Sequence, residues 1–147
     1  MDGWTRVIAV DTNILVHAHR RGSPKHAAAR RRIVALAEGA RRWGIPVFCL
    51  GEFLRVVTHP RLLDPHSADR AGAALQRVLA SPSVELLLPG RGFPTLLLEA
   101  IREAGAIGNL VFDAQIVALC REAGVSTLLT EDRDFDRFSG FATERLG

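Results

Sequence analysis

Three observations predict an α/β fold with a mostly parallel sheet. Short apolar strand-like runs alternate with helical stretches, which implies crossover connections. The first run, Arg6-Val7-Ile8-Ala9-Val10, is apolar on consecutive positions, as in a strand buried on both faces. The chain is 147 residues long, the size of one domain with a real core, so residues 1–147 are read as a single domain.

The elements follow in order. The first strand ends at Asp11, and a helix runs over Thr12–Arg20. Ser23 is placed to cap the next helix, with Pro24 in its first position. Ile33, Leu36, Ala37, Ala40 and Trp43 recur there at helical spacing, and Gly44 ends the stripe. Ile45–Leu50 is a second strand, with Pro46 near its start, followed by a helix over Glu52–Thr58 that His59-Pro60 breaks. Ser67 caps a helix to Leu79 whose apolar stripe is Ala71, Ala74, Leu75 and Val78. Val84–Leu88 is a third strand, Pro94–Ala104 a helix, Gly105–Leu110 a loop and Phe112–Glu122 a helix closed by Gly124. Val125–Thr130 is the fourth strand, and after a charged turn a short edge strand is expected near Phe141–Arg145.

Composition excludes several classes. Apolar residues make up 48% and charged residues 24%, far from the signature of disorder. No apolar run approaches the roughly 20 residues of a membrane span, and Met1–Arg6 has no signal-peptide core, so a soluble cytoplasmic protein is expected. Cys49 and Cys120 form no metal spacing and read as small core residues. The net charge of +3 is unevenly placed. Residues 1–61 hold 11 basic and 4 acidic side chains (+7), residues 62–112 hold 4 and 5 (−1), and residues 113–147 hold 4 and 7 (−3). A basic N-terminal part, Arg in all but one of its cations, suits a polyanion such as RNA.

The carboxylates fall where an open parallel sheet places ligands, outside the carboxyl ends of its strands. Asp11 follows the first strand, Glu52 lies within two residues of the second, and Asp132 comes two residues after the fourth, behind Thr130. Asp113 opens the helix before that last strand, on the apolar stripe that Ile116 and Val117 mark. Singly, each has a plain structural role: Asp11 and Asp113 as helix caps, Glu52 as a partner of Arg55, Asp132 as part of a solvated turn. Together they repel one another unless a cation joins them. Oxygen ligands without His or Cys select a hard ion, Mg²⁺ or Mn²⁺, which activates water and offsets charge on a phosphodiester.

Four segments then converge on one family. Val10-Asp11-Thr12-Asn13-Ile14-Leu15, Gly51-Glu52-Phe53, Phe112-Asp113-Ala114-Gln115-Ile116-Val117-Ala118 and Leu129-Thr130-Glu131-Asp132-Arg133-Asp134-Phe135 resemble the PIN-domain ribonucleases, and among them the VapC toxins of bacterial VapBC toxin-antitoxin modules. The resemblance implies a PIN-like α/β/α sandwich with Asp11, Glu52, Asp113 and Asp132 as the catalytic acids. Of these, Asp11, Asp113 and Asp132 would hold Mg²⁺ or Mn²⁺. Asn13, Thr130 and Asp134 would support them, and either Asp132 or Asp134 can supply the outermost ligand. It also implies hydrolysis of tRNA or rRNA to a 5′-phosphate and a 3′-hydroxyl, a homodimer, and a cognate VapB-like antitoxin whose C-terminal segment crosses the active-site groove.

Rival readings weigh less. A receiver-like phospho-acceptor wants a lysine at a late strand end, and the only lysine is Lys25. A non-catalytic binding module does not need four acids at one edge, and a PIN nuclease of RNA maturation is separated from a toxin only by its gene neighbourhood. His17, His19, His26, His59 and His66 read as surface or capping residues. Gly90-Arg91-Gly92 is a turn without a Walker lysine, and no nucleophile elbow is present.

Overall fold

A computed structural model describes residues 7–147. Five strands, β1 (Ile8–Val10), β2 (Trp43–Pro46), β3 (Val84–Leu87), β4 (Thr127–Leu129) and β5 (Thr143–Glu144), form one sheet in the order β3-β2-β1-β4-β5. Every pairing is parallel. The helices are α1 (Thr12–His19), α2 (His26–Glu38), α3 (Phe48–Val57), α4 (Ala68–Leu79), α5 (Phe93–Ala104) and α6 (Leu110–Glu122), with a short 3₁₀ turn at Arg133–Arg137. They pack in two groups, α1 to α4 against one another and α5 against α6, the layering of an α/β/α sandwich. No helix among the described residues is long and apolar enough to cross a membrane.

The parallel sheet explains the apolar runs. A strand covered by helices on both faces cannot alternate polar and apolar side chains, and Ala9, Val10, Ile45, Leu128 and Leu129 are fully buried. The expectations for Arg6 and for the Met1–Arg6 segment lie outside the described residues.

Four expectations are corrected. The second helix stops at Glu38 and does not reach Trp43. Its last carbonyls are taken by side chains from the turn before β3: Ser81 Oγ donates to Ala37 O at 3.1 Å and Ser83 Oγ to Leu36 O at 3.1 Å. Trp43 instead begins β2, fully buried, with its indole N–H on Ser83 Oγ at 3.1 Å. The second strand therefore ends at Pro46, and Phe48-Cys49-Leu50 belong to α3, which buries Cys49, Phe53 and Val57 on one face. An unbroken apolar run hides such a strand-to-helix boundary. Ser23 does not cap α2; Lys25 holds the cap position without a side-chain bond, and Ser23 Oγ accepts from Lys25 N at 3.2 Å. Finally, the Asp132–Arg137 stretch is not a wholly solvated turn, because Phe135 in it and Phe138 after it are 1% exposed. Ser67, by contrast, caps α4 as expected, accepting from Arg70 N at 3.1 Å.

Candidate active site

The carboxyl end of β1 and of β4, with the first turn of α6, brings the acids together. Asp11 directly follows β1 and caps α1, its Oδ1 accepting from Thr12 N at 2.8 Å. The same buried side chain accepts at Oδ2 from Thr130 Oγ1 at 2.7 Å and from Asn13 Nδ2 at 3.1 Å. Its structural and functional readings thus coincide: the cap bond uses one oxygen, and the other faces residues at the end of β4. Cys49 Sγ also donates to Asp11 Oδ1 at 3.7 Å. Burial pushes the Asp11 carboxyl upward, against the lowering by the Thr130 and Thr12 bonds, and nearby Asp132 adds to the rise.

Thr130 is the junction. Fully buried at the end of β4, its hydroxyl donates to Asp11 and accepts from Asp132 N at 3.0 Å. Asn13 links the same residues from α1: its amide also donates to Thr130 Oγ1 at 3.2 Å, and its Oδ1 accepts from Glu131 N at 3.0 Å. The chain then turns at Asp132, whose Oδ1 accepts from Asp134 N at 2.9 Å and caps the 3₁₀ turn.

That turn and α6 together place Asp113, Asp132 and Asp134 so that one carboxylate oxygen from each lies within 4.8 Å of the others. Among the described residues none of the three has an ion pair. Other acids nearby are neutralised: Glu131 by Lys25, Asp136 by Arg145 and Glu144 by Arg32. Desolvation pushes Asp113 up to about 7, and the carboxylates of Asp132, Asp11 and Asp134 push the same way. Unpaired acids at this spacing, all offering oxygen, suit a hard divalent cation with waters completing its shell.

The grouping differs in detail from the expected one. Asp134, expected as a supporting residue or as an alternative to Asp132 for the outermost ligand, lies within the cluster together with Asp132, while Asp11 stands beside it, close enough to raise Asp113. Glu52 is outside it. It is exposed in α3 and gripped at both oxygens by Arg55, at 2.5 and 3.2 Å. It lies one turn beyond Cys49, hence on a neighbouring part of the helix surface that meets Asp11. The Cys49 thiol's bond to Asp11 and the tail residue Arg145, which donates to the carbonyls of Thr130 and Asp132 at 2.8 and 3.3 Å, have no counterpart in the sequence reading. Neither carries a local sequence signal. The histidines also depart from expectation at one place: His66 is 8% exposed and shares a 2.6 Å hydrogen bond with His19.

Comparison with known proteins gives this geometry a family. The PIN domain model matches residues 8–140. The chain belongs to the PIN-domain family. Ribonuclease VapC43 of Mycobacterium tuberculosis is 35% identical over 133 residues, 90% of each chain. Ribonuclease VapC48 of the same organism is 35% identical over 135 residues, 88% of this chain and 90% of its own. Within the PIN-domain family the chain thus groups with the VapC ribonucleases. Among solved structures, VapBC2 from Rickettsia felis, bound to a DNA fragment from its promoter, superposes with a TM-score of 0.70 at 18% identity, covering 95% and 98% of the two chains. The PIN-domain fold is shared equally with M. tuberculosis VapC20, a sarcin-ricin loop cleaving toxin, with a TM-score of 0.65 at 21% identity over 90% and 97%.

Proposed function

We propose that this PIN domain is a divalent-metal-dependent endoribonuclease, the toxin of a VapBC-type module. The observation that carries the reading is the unpaired triad Asp113, Asp132 and Asp134 beside buried Asp11, in a chain whose relatives are named ribonucleases. A bound Mg²⁺ or Mn²⁺ supplies a water of lowered pKa and offsets charge on the phosphodiester as it is cut. The chain's own residues hold that chemistry in place. Asp113 and Asp132 provide oxygens to the ion, with Asp134 or Asp11 completing the set. Thr130 and Asn13 fix the Asp11 carboxylate at Oδ2, and Thr12 N and the Cys49 thiol fix it at Oδ1. Asp113 would hold the ion as a carboxylate, and desolvation with the neighbouring acids raises its pKa to about 7 in the absence of metal. Glu52 supplies the fourth acid on the substrate side, with Arg55 gripping its carboxylate.

Water attacks phosphorus in this reading, leaving a 5′-phosphate and a 3′-hydroxyl without use of the ribose 2′-hydroxyl. The substrate is tRNA or rRNA, the place of action the cytoplasm and the assembly a homodimer. The partner is a VapB-like antitoxin; the R. felis neighbour, a VapBC2 complex, supports that pairing.

The test is 5′-end mapping of cellular RNA incubated with the antitoxin-free protein in Mg²⁺, Mn²⁺ or chelator, beside Asp113→Asn. Discrete cuts that need both the metal and Asp113 are expected. A folded, metal-binding protein that cuts no RNA in any condition overturns the nuclease reading and favours a binding module.

A further inference from the structure

Three successive residues near the C-terminus are bonded to three successive residues of the turn that carries Asp132. Thr130 N donates to Glu144 O at 3.0 Å, and Leu146 N donates to Glu131 Oε2 at 2.9 Å. Between them, Arg145 Nη1 donates to Thr130 O at 2.8 Å and to Asp132 O at 3.3 Å. Its other nitrogen, Nη2, lies 3.4 Å from Asp136 Oδ2, on the 3₁₀ turn that follows. One planar side chain thus touches Thr130 before Asp132, Asp132 itself, and Asp136 beyond it.

The backbone alone is a weak support here. β5 has two residues and forms the edge of the sheet, so its ladder offers few bonds to hold the end of β4. Arg is suited to the task because Nη1 holds both carbonyls while Nη2 of the same plane reaches Asp136, tying the 130–132 turn to the 3₁₀ turn as a lysine's point charge does not. The two carbonyls span the turn from Thr130 to Asp132, and Thr130 between β4 and the turn also orients Asp11 through its hydroxyl. A displacement of this turn would therefore move Asp132, Asp134 and the Asp11 bond together, while α6 holds Asp113 in place.

We propose that Arg145 is a positioning residue of the acidic cluster, bracing the 130–132 turn so that Asp132 and Asp134 stay within metal-sharing distance of Asp113. This rests on the metal-site reading above.

The experiment compares the unaltered full chain with Arg145→Gln, Arg145→Lys and, as a control, Arg121→Gln. Arg121 makes a similar set of bonds, to Glu103 and to Ser139 O, away from the cluster. Mn²⁺ affinity is read by electron paramagnetic resonance, order of the turn by hydrogen exchange at the amides of Asp132 and Asp134, and RNA cleavage by kcat and KM. Arg145→Gln is expected to weaken Mn²⁺ binding roughly ten-fold or more, the usual effect of losing a residue that orients metal ligands. It should also speed exchange at both amides and lower kcat with KM near its original value. Arg145→Lys recovers part of each, and Arg121→Gln moves none of them. Unchanged Mn²⁺ affinity and exchange in Arg145→Gln overturn the proposal, as does an equal loss in Arg121→Gln. Should Arg145→Gln not fold, Arg145→Lys decides: weaker Mn²⁺ binding supports the proposal and wild-type binding overturns it. An unaltered chain that binds Mn²⁺ but cuts no RNA sinks the ribonuclease reading and leaves the binding and exchange readouts intact. One that binds no Mn²⁺ overturns both.

Discussion

At Asp113 stability and function oppose each other. Desolvation of its half-buried carboxyl, and next the carboxylates of Asp132, Asp11 and Asp134, hold its pKa up at about 7, against an ordinary 3.8. A folded-state pKa above the unfolded one means that the folded protein binds the proton more tightly. In the metal-free protein the resulting penalty is absent below about pH 4, grows as pH rises, and is complete above about pH 7. Thermal unfolding in chelator should accordingly show Asp113→Asn more stable than the unaltered chain at pH 8 and little different at pH 4, while cleavage is lost. An Asn variant less stable at pH 8 would contradict the crowding of charge. Thr130→Val tests the neighbouring network. It leaves the Asp11 carboxylate and the Asp132 amide short of a partner, so urea unfolding should report a loss of about 1–3 kcal/mol. Much of this was legible in the chain. Asp11 follows an apolar strand, and Asp113 interrupts an apolar helix stripe, two places where an acid needs a reason. Asp134 was harder to place because residues two apart in a turn share no fixed face, and Cys49 because its bond to Asp11 spans 38 residues.

Among the elements, long helices with conventional signals were readable and boundaries set by distant contacts were not. Ser67 caps α4 through its own hydroxyl, and the apolar stripe behind it is local. Ser67→Ala should cost about 1 kcal/mol of stability, read in the same urea experiment, with RNA cleavage unchanged. The end of α2 depends instead on Ser81 and Ser83, more than 40 residues away in the chain. Its stripe happened to continue in phase to Trp43, which the sheet claims. The β2–α3 boundary was hidden for a different reason: both elements are buried, so Ile45 to Leu50 is apolar whatever its conformation. Replacing Trp43 with Ala removes a fully buried ring at the β2–β3 seam, and a loss of about 3–5 kcal/mol is expected from thermal or urea unfolding.

For the whole molecule, a five-stranded parallel sheet gathers acids that are far apart in sequence, because every strand's carboxyl end points to the same edge. The α/β class is readable from the alternation of strands and helices, and that geometric rule makes the edge location readable from the strand ends. It did not fix how the acids divide within the edge, since that depends on the turn after β4 and on the tail beyond it. Charge is arranged to match a polyanion: residues 1–61 carry +7, while the cluster of acids lies in the last 35 residues, which carry −3. RNA binding by the inactive Asp113→Asn chain should weaken as salt rises, with a log–log slope of about 0.7 per phosphate neutralised. Binding that does not respond to salt would contradict an electrostatic footprint. The central claim is that this edge holds a hard divalent cation, and anomalous diffraction from crystals soaked in Mn²⁺ tests it most directly. A Mn²⁺ peak within bonding distance of Asp113 and Asp132, joined by Asp134 or Asp11, is the predicted result. Crystals with open access to this edge that show no peak there, or a peak ligated elsewhere, would contradict it.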